Sequence, residues 1–377
     1  MSTTINAGHD LVHAARRVAG IAAEHASDAN RHRRLHPDVV EAITEAGFLR
    51  AFVPSAVGGA AGSLREFSGA VAAVGERCAS AAWVASVSAY VGRMAGFLPA
   101  PGWAEVWSAG PDTLLVGALM PAGSATAVPG GWLVSGEWAY ISAVDFSAWA
   151  LVCALAPGDG GPQARFFAVP REAYSIRDTW HTTGMRGTGS NTLVLPEVFV
   201  PAHRSVARSR IAAGQGSDSP APCHNVPLGA INGLAFGGPA LGAARGMLAA
   251  WSATTARKLG GGRGRPVDRA AFDGPLTWAS AGIDTAELLF DRVAATADAG
   301  DPGPLLSARG SRDSVVAISH LVDAANRVFA ASGSSAQAED SPIGRAWRDV
   351  HAAASHVAVR FEPAAAAYAD EILRAPA

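Results

Sequence analysis

The residues best suited to chemistry fall in three stretches. GMRGTGSN, residues 184–191, sets Gly184, Gly187 and Gly189 among Arg186, Thr188, Ser190 and Asn191, directly before the apolar run TLVLPEVFVP. Glycines let a ligand approach the backbone, hydroxyls and free amides offer hydrogen bonds, and Arg186 suits an anionic or electron-rich group. The same composition also makes an ordinary turn between strands. It is not a Walker loop, because no Gly-Lys-Ser/Thr follows. It does not fit a dinucleotide fingerprint either, because a strand follows where a helix is required. GGGRGRP at 260–266 fails for the same reason, and no nicotinamide site is visible.

The second stretch is GEWAYISAVDFSAWALVCA, 136–154. Trp138, Tyr140 and Ser142 sit two apart, so a strand places them on one face. Two aromatics and a hydroxyl there make either a wall for a flat ring, with Ser142 as its polar handle, or an ordinary aromatic sheet face. The third is SPIGRAWRDVHAAASH, 341–356. Helical spacing brings Arg345, Arg348 and Asp349 together, with His356 two turns beyond Asp349. His356 is placed to act as acid, base or hydrogen-bond donor near neutral pH, or else is a satisfied interior histidine. His351 falls on a different side, so at most one of the two faces a pocket.

Three kinds of element must position these stretches. In LVHAARRVAGIAAEHA, Leu11, Ala14, Val18 and Ile21 share one helical face, and HPDVVEAITEAGFLR forms a second helix with Pro37 near its start and Gly47 near its end. AFVPSAVGGAAG is a turn-rich loop, and residues 64–98 return to helix. Near residue 111 the character changes. LLVGAL, WLVSGEWAYIS, WALVCALA, RFFAVP and TLVLPEVFVP are short, rich in β-branched and aromatic residues, and separated by Gly/Pro turns. After GQGSDSPAP the chain is Ala-rich and helical again, interrupted by GGGRGRP and ADAGDPGP. The spacing therefore predicts an α+β chain in three domains: helical over 1–110, β over 111–223, helical over 224–377. Crevices at such domain junctions are favoured ligand sites.

Bulk properties narrow the function classes. Of the 377 residues, 49% are hydrophobic and 16% charged, so a large core is available, and a formal net charge of −2 gives no general attraction to nucleic acid or anionic lipid. No run approaches the roughly 18 apolar residues of a membrane span. The start MSTTINAGHD lacks the form of a signal peptide. Cys78, Cys153 and Cys223 lie far apart, which argues for a reducing compartment and against a disulfide frame or metal site. A soluble, cytoplasmic protein is the expectation.

Taken together, the three stretches and the helical–β–helical order resemble the acyl-CoA dehydrogenase superfamily. Within it, WAYISAVDFSAWALV and SPIGRAWRDVHAAASH resemble the reduced-flavin-dependent oxygenase components of two-component monooxygenases. The similarity is greatest to the branch hydroxylating aromatic polyketides, the actinorhodin-type dihydrokalafungin hydroxylases. The resemblance covers nearly the whole chain. It implies an N-terminal helical domain, a central β-barrel-like domain and a C-terminal four-helix bundle. It also implies reduced FMN (FAD as the alternative), O2, a separate NAD(P)H:flavin reductase, an aromatic substrate and a homotetramer. The implied reaction runs through a flavin 4a-hydroperoxide, in secondary-metabolite biosynthesis.

Residue by residue, the resemblance puts Trp138, Tyr140 and Ser142 along the flavin ring, with Ser142 near N5, and completes the cleft with Trp180, Arg186, Thr188 and Ser190. Arg257 matches an arginine that reaches the cofactor phosphate, often across a subunit boundary. In FAASGSSA, Ser332, Gly333 and Ser334 match a glycine turn contacting cofactor, and His356 matches a histidine near the reacting oxygen. Departures are Phe146, where relatives often carry histidine, and Tyr90, the one polar replacement for a pocket histidine after SAAWVAS. Val357 stands where dehydrogenases commonly place their glutamate base, which disfavours acyl-CoA desaturation. N-hydroxylation of an amine or amino sugar, desaturation and a non-catalytic binding role remain as alternatives.

Overall fold

The computed structural model describes residues 7–158, 160–260 and 269–374; GGGRGRP lies, apart from Gly260, outside the described residues. Helices come first: α1 (Ala7–Glu24), α2 (Ala26–His32), α3 (Pro37–Glu45), α4 (Leu64–Gly75), α5 (Ala79–Ala95) and α6 (Ala100–Val106). Their starts follow local chemistry. The His36 ring caps α3 by accepting the Asp38 N–H at 3.3 Å, with Pro37 in the first turn. Ser63 caps α4 by accepting the Glu66 N–H at 3.2 Å. The single helix expected over 64–98 is two, parted at Glu76–Cys78, where Cys78 is extended (φ −154°, ψ 103°). Both α4 and α5 pack on one later helix, and α4 ends on it in close contact between Gly75 and Gly242.

The strands are β1 (Leu115–Gly117), β2 (Gly123–Val128), β3 (Gly131–Ile141), β4 (Trp149–Ala156), β5 (Gln163–Pro170), β6 (Ser175–Arg177), β7 (Asn191–Pro201) and β8 (Ser205–Ala207). They form one sheet in the order β6-β7-β3-β2-β4-β5-β8, with β1 parallel to β4. This order has two free ends, so hydrogen bonds do not close a barrel. The sheet nonetheless curls, because Trp132 on β3 meets Phe167 on β5 with ring centroids 5.8 Å apart although two strands lie between them.

After α7 (Arg208–Ala213) come α8 (Leu228–Gly260), α9 (Ala270–Asp298), α10 (Gly303–Ser332), α11 (Pro342–Ala354) and α12 (Phe361–Leu373). Long α8 packs against α4, α5, α9, α10 and α11, which joins the first helical block to the last. One continuous apolar core runs through all three regions, from Val18 and Phe67 through Trp138 and Val152 to Phe236 and Leu321. Among the described residues no helix is long and apolar enough to cross a membrane.

Candidate active site

The loop GMRGTGSN is pressed between the sheet and two helices. Gly184 lies against α11 so closely that a Cβ there would sit 2.2 Å from the Arg348 carbonyl oxygen, so only glycine fits. Met185 (φ +53°) and Gly189 (φ +56°) both take left-handed backbone. The Met185 N–H donates to Asp349 Oδ1 at 2.6 Å, pinning the loop to α11. Burial pushes the Asp349 carboxyl up to about 6, against the opposing pull of the Met185 N–H and of Arg345 and Arg348. Arg186 spends two of its donors inside the fold. Its Nε donates to Asn30 O at 2.7 Å and one Nη to Thr182 O at 2.8 Å, so it ties the loop to α2.

Beyond that anchor lies a chain of hydroxyls. Trp83 Nε1 donates to Ser142 Oγ at 3.0 Å, Ser142 lies 2.8 Å from Ser190 Oγ, Ser190 lies 2.7 Å from Thr188 Oγ1, and Thr188 donates to Met185 O at 2.8 Å. Both ends fix its direction, since an indole N–H only donates and a carbonyl only accepts. Thr188 therefore spends its proton on Met185, Ser190 on Thr188, and Ser142 on Ser190. Half-buried Ser142 is left with one free lone pair and no free proton. Toward anything that arrives, it is an acceptor.

Trp138, Tyr140 and Ser142 do not share a face. The β3–β7 register shifts between Trp138 and Ile141, and Tyr140 has φ +65°. The bulge turns Trp138 into the core, where it is 1% exposed and its Nε1 donates to Cys153 O at 2.7 Å. It throws Tyr140 outward, 75% exposed, edge-on to Trp180 at 6.1 Å. Trp180 is held in turn by its Nε1 donating to Met185 O at 3.1 Å. An outward tyrosine strained into left-handed backbone is unusual away from a functional surface. The aromatic pair at the surface is thus Tyr140 and Trp180, set edge to face, with Trp138 a core residue.

His356 lies just past the end of α11 rather than within it, capping a short 3-10 turn. Its ring stacks on Phe236 of α8 at 3.8 Å and meets the edge of Trp83 at 5.8 Å. Nδ1 accepts the Ala358 N–H at 3.2 Å, so the proton of the neutral ring resides on Nε2. Burial between the two aromatics lowers its pKa to about 4. At neutral pH His356 is an uncharged Nε2–H donor. Trp83 links it to Ser142, since one indole touches both. His351 turns the other way, its Nε2 2.9 Å from Asn326 Oδ1.

Other expected residues lie elsewhere. Tyr90 is buried two turns along α5 from Trp83, 5.2 Å from the Phe52 ring, away from the hydroxyl chain. Arg257 is exposed near the end of α8, with about 30 Å of helix between it and Phe236. Ser332, Gly333 (φ +70°) and Ser334 close α10, with Ser332 turned back to Val328 O at 2.6 Å. Phe146 carries the Arg34 guanidinium 4.5 Å from its ring centre. A cavity of ≈ 280 Å³ lies behind the loop, lined by Asn30, Cys78, Ser80, Met247, Arg345 and Asp349; Ser142 and His356 do not line it.

Sequence reasoning missed Trp83 and Phe236, which clamp His356 and orient Ser142. Nothing in their spacing distinguishes them from core aromatics. Asn191 was read only as a turn residue, but its Oδ1 accepts the N–H groups of Thr179 and Trp180 at 3.0 and 3.1 Å.

Comparison with known proteins gives a consistent result. The family described as acyl-CoA dehydrogenase, C-terminal domain, matches residues 234–361. The chain is similar to the flavin-dependent monooxygenase, oxygenase subunit HsaA, of Rhodococcus jostii. Identity is 32%, covering 89% of this chain and 91% of that protein. It is equally similar to the FADH2-dependent resorcinol hydroxylase, oxygenase component, of a Rhizobium strain, at 32% over 92% of this chain and 90% of that one. In three dimensions it superposes on the crystal structure of the 3-HSA hydroxylase from Rhodococcus sp. RHA1 with a TM-score of 0.91. There the identity is 28%, with 98% of each chain covered.

Proposed function

The chain belongs to the family of flavin-dependent monooxygenase oxygenase subunits, and from that premise we propose that it hydroxylates an aromatic substrate with reduced flavin and O2. One observation carries the reading. The hydroxyl chain leaves Ser142 as a pure acceptor, the Trp83 that donates to it also packs on the neutral His356 ring, and exposed Tyr140 stands two residues before Ser142 against half-buried Trp180. These residues fit a flavin. The Tyr140–Trp180 pair, its rings nearly perpendicular, offers one aromatic face to a planar ring, and reduced flavin presents an N–H at N5 that suits the free lone pair of Ser142, whereas oxidised flavin has only an acceptor there.

When bound, reduced flavin supplies the electrons that activate O2, and the protein supplies orientation, dryness and hydrogen bonds. Ser142 would accept the N–H of the bound ring, with its direction enforced by Ser190, Thr188 and Met185. Trp83 and Phe236 fix the His356 ring and shield part of it from water. His356 Nε2–H donates to an oxygen, either the one being transferred or a phenol of the substrate. Its low pKa favours this donor role over that of a charged acid. Val357, 51% exposed, provides no carboxylate for α-proton removal, which weighs against a desaturase.

Finer features of the proposal are a fused-ring polyketide or naphthoquinone-like substrate in secondary metabolism, FMN ahead of FAD, a partner NAD(P)H:flavin reductase, and a cytoplasmic setting. A homotetramer is supported by exposed apolar side chains on the C-terminal helices, Trp278 and Leu288 on α9 and Phe361 on α12. It would also give Arg257 and the Ser332–Ser334 turn a neighbouring chain's cofactor to meet. The test is turnover. Reduced FMN, O2 and a panel of aromatic polyketides, phenols and amines should give oxygen incorporation into an aromatic ring. Oxidation of amines alone would favour the N-hydroxylase reading.

A further inference from the structure

The ≈ 280 Å³ cavity behind GMRGTGSN lies between the end of α1, α2, α8, α11 and the link from α4 to α5. It reaches the surface at Glu76, Arg77 and Pro342, which are exposed. Its floor is the back of the loop, because three of its residues also hold the loop. Asn30 O accepts from Arg186 Nε at 2.7 Å, and Asp349 Oδ1 accepts the Met185 N–H at 2.6 Å. Ser80 lies so close to Gly187 that a Cβ there would sit 3.0 Å from the Ser80 Cβ.

Donors collect in this cavity without acceptors to match. Among the described residues the Arg77 side chain makes neither an ion pair nor a hydrogen bond. Arg345 stands one turn before Asp349 yet makes no ion pair with it, and its hydrogen bond goes to Ser27 Oγ at 3.2 Å. Ser80 is only 6% exposed, and its hydroxyl has no partner among the described residues; the Asn30 side-chain amide has none either. A buried hydroxyl left unpaired is costly. α5 starts on the same wall, and Cys78 at its N-cap gives the first-turn amides no side-chain hydrogen bond, so this 17-residue helix presents its positive end uncapped.

Two carboxylates also line the cavity, and both are engaged. Glu76 has Arg245 3.8 Å away, and Asp349 has one oxygen on Met185 while burial moves it toward its neutral form. The groups left without partners are therefore donors and cations. Several of them converging suit a phosphate, whose oxygens take more hydrogen bonds than the two of a carboxylate, and a helix start adds to that preference.

We propose that this cavity is a second binding site, for a small organic phosphate. Its oxygens take Arg77, Arg345, the Ser80 hydroxyl and the α5 amides, and its apolar body lies along Ala243, Met247 and Ala250 of α8. The site is separate from Ser142 and His356 and does not rest on the hydroxylase reading. A ligand there braces the loop from behind through Asn30, Ser80 and Asp349.

The test is calorimetry on the full-length chain saturated with FMN, which occupies the flavin's own phosphate contacts, titrated with phenyl phosphate and with inorganic phosphate. Phenyl phosphate should bind at one site per chain, at least fivefold more tightly than inorganic phosphate because of the apolar wall. Arg345→Gln and Arg77→Gln should each weaken it about tenfold, as expected for a charge-assisted contact, and Ser80→Ala several-fold, with FMN affinity unchanged. Arg77 is exposed, so Arg77→Gln decides if Arg345→Gln does not fold. No saturable binding, binding that survives the arginine substitutions, equal affinity for inorganic phosphate, or a loss matched by an equal loss of FMN affinity would overturn the proposal. Binding is read without turnover, so these outcomes leave the hydroxylase reading to its own test.

Discussion

Asp349 accepts the Met185 N–H at 2.6 Å, so a single hydrogen bond joins the helix leading to His356 with the loop that carries Thr188 and Ser190. Both halves of the candidate site are thereby held in one frame. The bond has a cost, because the carboxylate is buried and its pKa stands at about 6 against an ordinary 3.8. A raised carboxyl pKa favours the fold while the group is protonated, and that advantage is lost as pH rises through 6. Asp349→Asn keeps an acceptor oxygen without the charge. Its stability gain over the parent should grow from pH 4.5 to pH 8, reaching about 2–3 kcal/mol. Urea unfolding at the two pH values measures it, and a gain that does not change with pH would refute the assignment.

His356 gives the opposite sign. Its folded pKa of about 4 lies below the ordinary 6.5, as does that of His224, buried between Ser219 and Phe52 O. Depressed histidines leave the folded state protons short of the unfolded one between pH 6.5 and 4, so stability should fall as pH drops through that window. In the reaction, His356 stays neutral from pH 5 to 8 and should contribute no ionisation there to the yield of product per flavin oxidised. His356→Ala should cut that yield by about 10²-fold with flavin still bound. A yield that titrates near pH 6.5 and loses that titration in the variant would mean a charged histidine at work.

Ser142 is tested by redox state. Ser142→Ala removes the free lone pair and should weaken binding of reduced FMN about tenfold while leaving oxidised FMN nearly unchanged. Equilibrium titrations of both flavin forms, the reduced one without oxygen, make the comparison. Equal losses for both would mean that the hydroxyl chain does not distinguish them.

Gly184→Ala probes the loop itself. Its Cβ would meet the Arg348 carbonyl at 2.2 Å, so loop and α11 must separate. We expect a stability loss of about 1–3 kcal/mol in thermal or urea unfolding. An unchanged midpoint would show that the loop does not need this close approach.

Much of this was legible in the sequence. The helical–β–helical order follows from periodicity, and GMRGTGSN, Ser142 and His356 stand out by residue type. The face shared by Trp138, Tyr140 and Ser142 was misread because a bulge shifts one side of the strand, and no local residue announces it. GSATAV escaped notice as β2 because it lacks bulky alternation. Arg186 looked like a ligand group, but two backbone carbonyls that only the tertiary fold brings near take two of its donors. Trp83 and Phe236 matter through contacts across elements, which spacing along one helix does not reveal.

The central claim is that this protein holds reduced flavin so that activated oxygen reaches an aromatic ring instead of being lost. The most direct measurement mixes the protein with reduced FMN anaerobically, then adds O2 and follows the appearance of oxidised flavin and of hydrogen peroxide by stopped flow. The expected result is a long lag before oxidised flavin appears, shortened on adding an aromatic substrate, with hydroxylated product replacing peroxide. Oxidation as fast as that of free flavin, with all the oxygen recovered as peroxide, would contradict it.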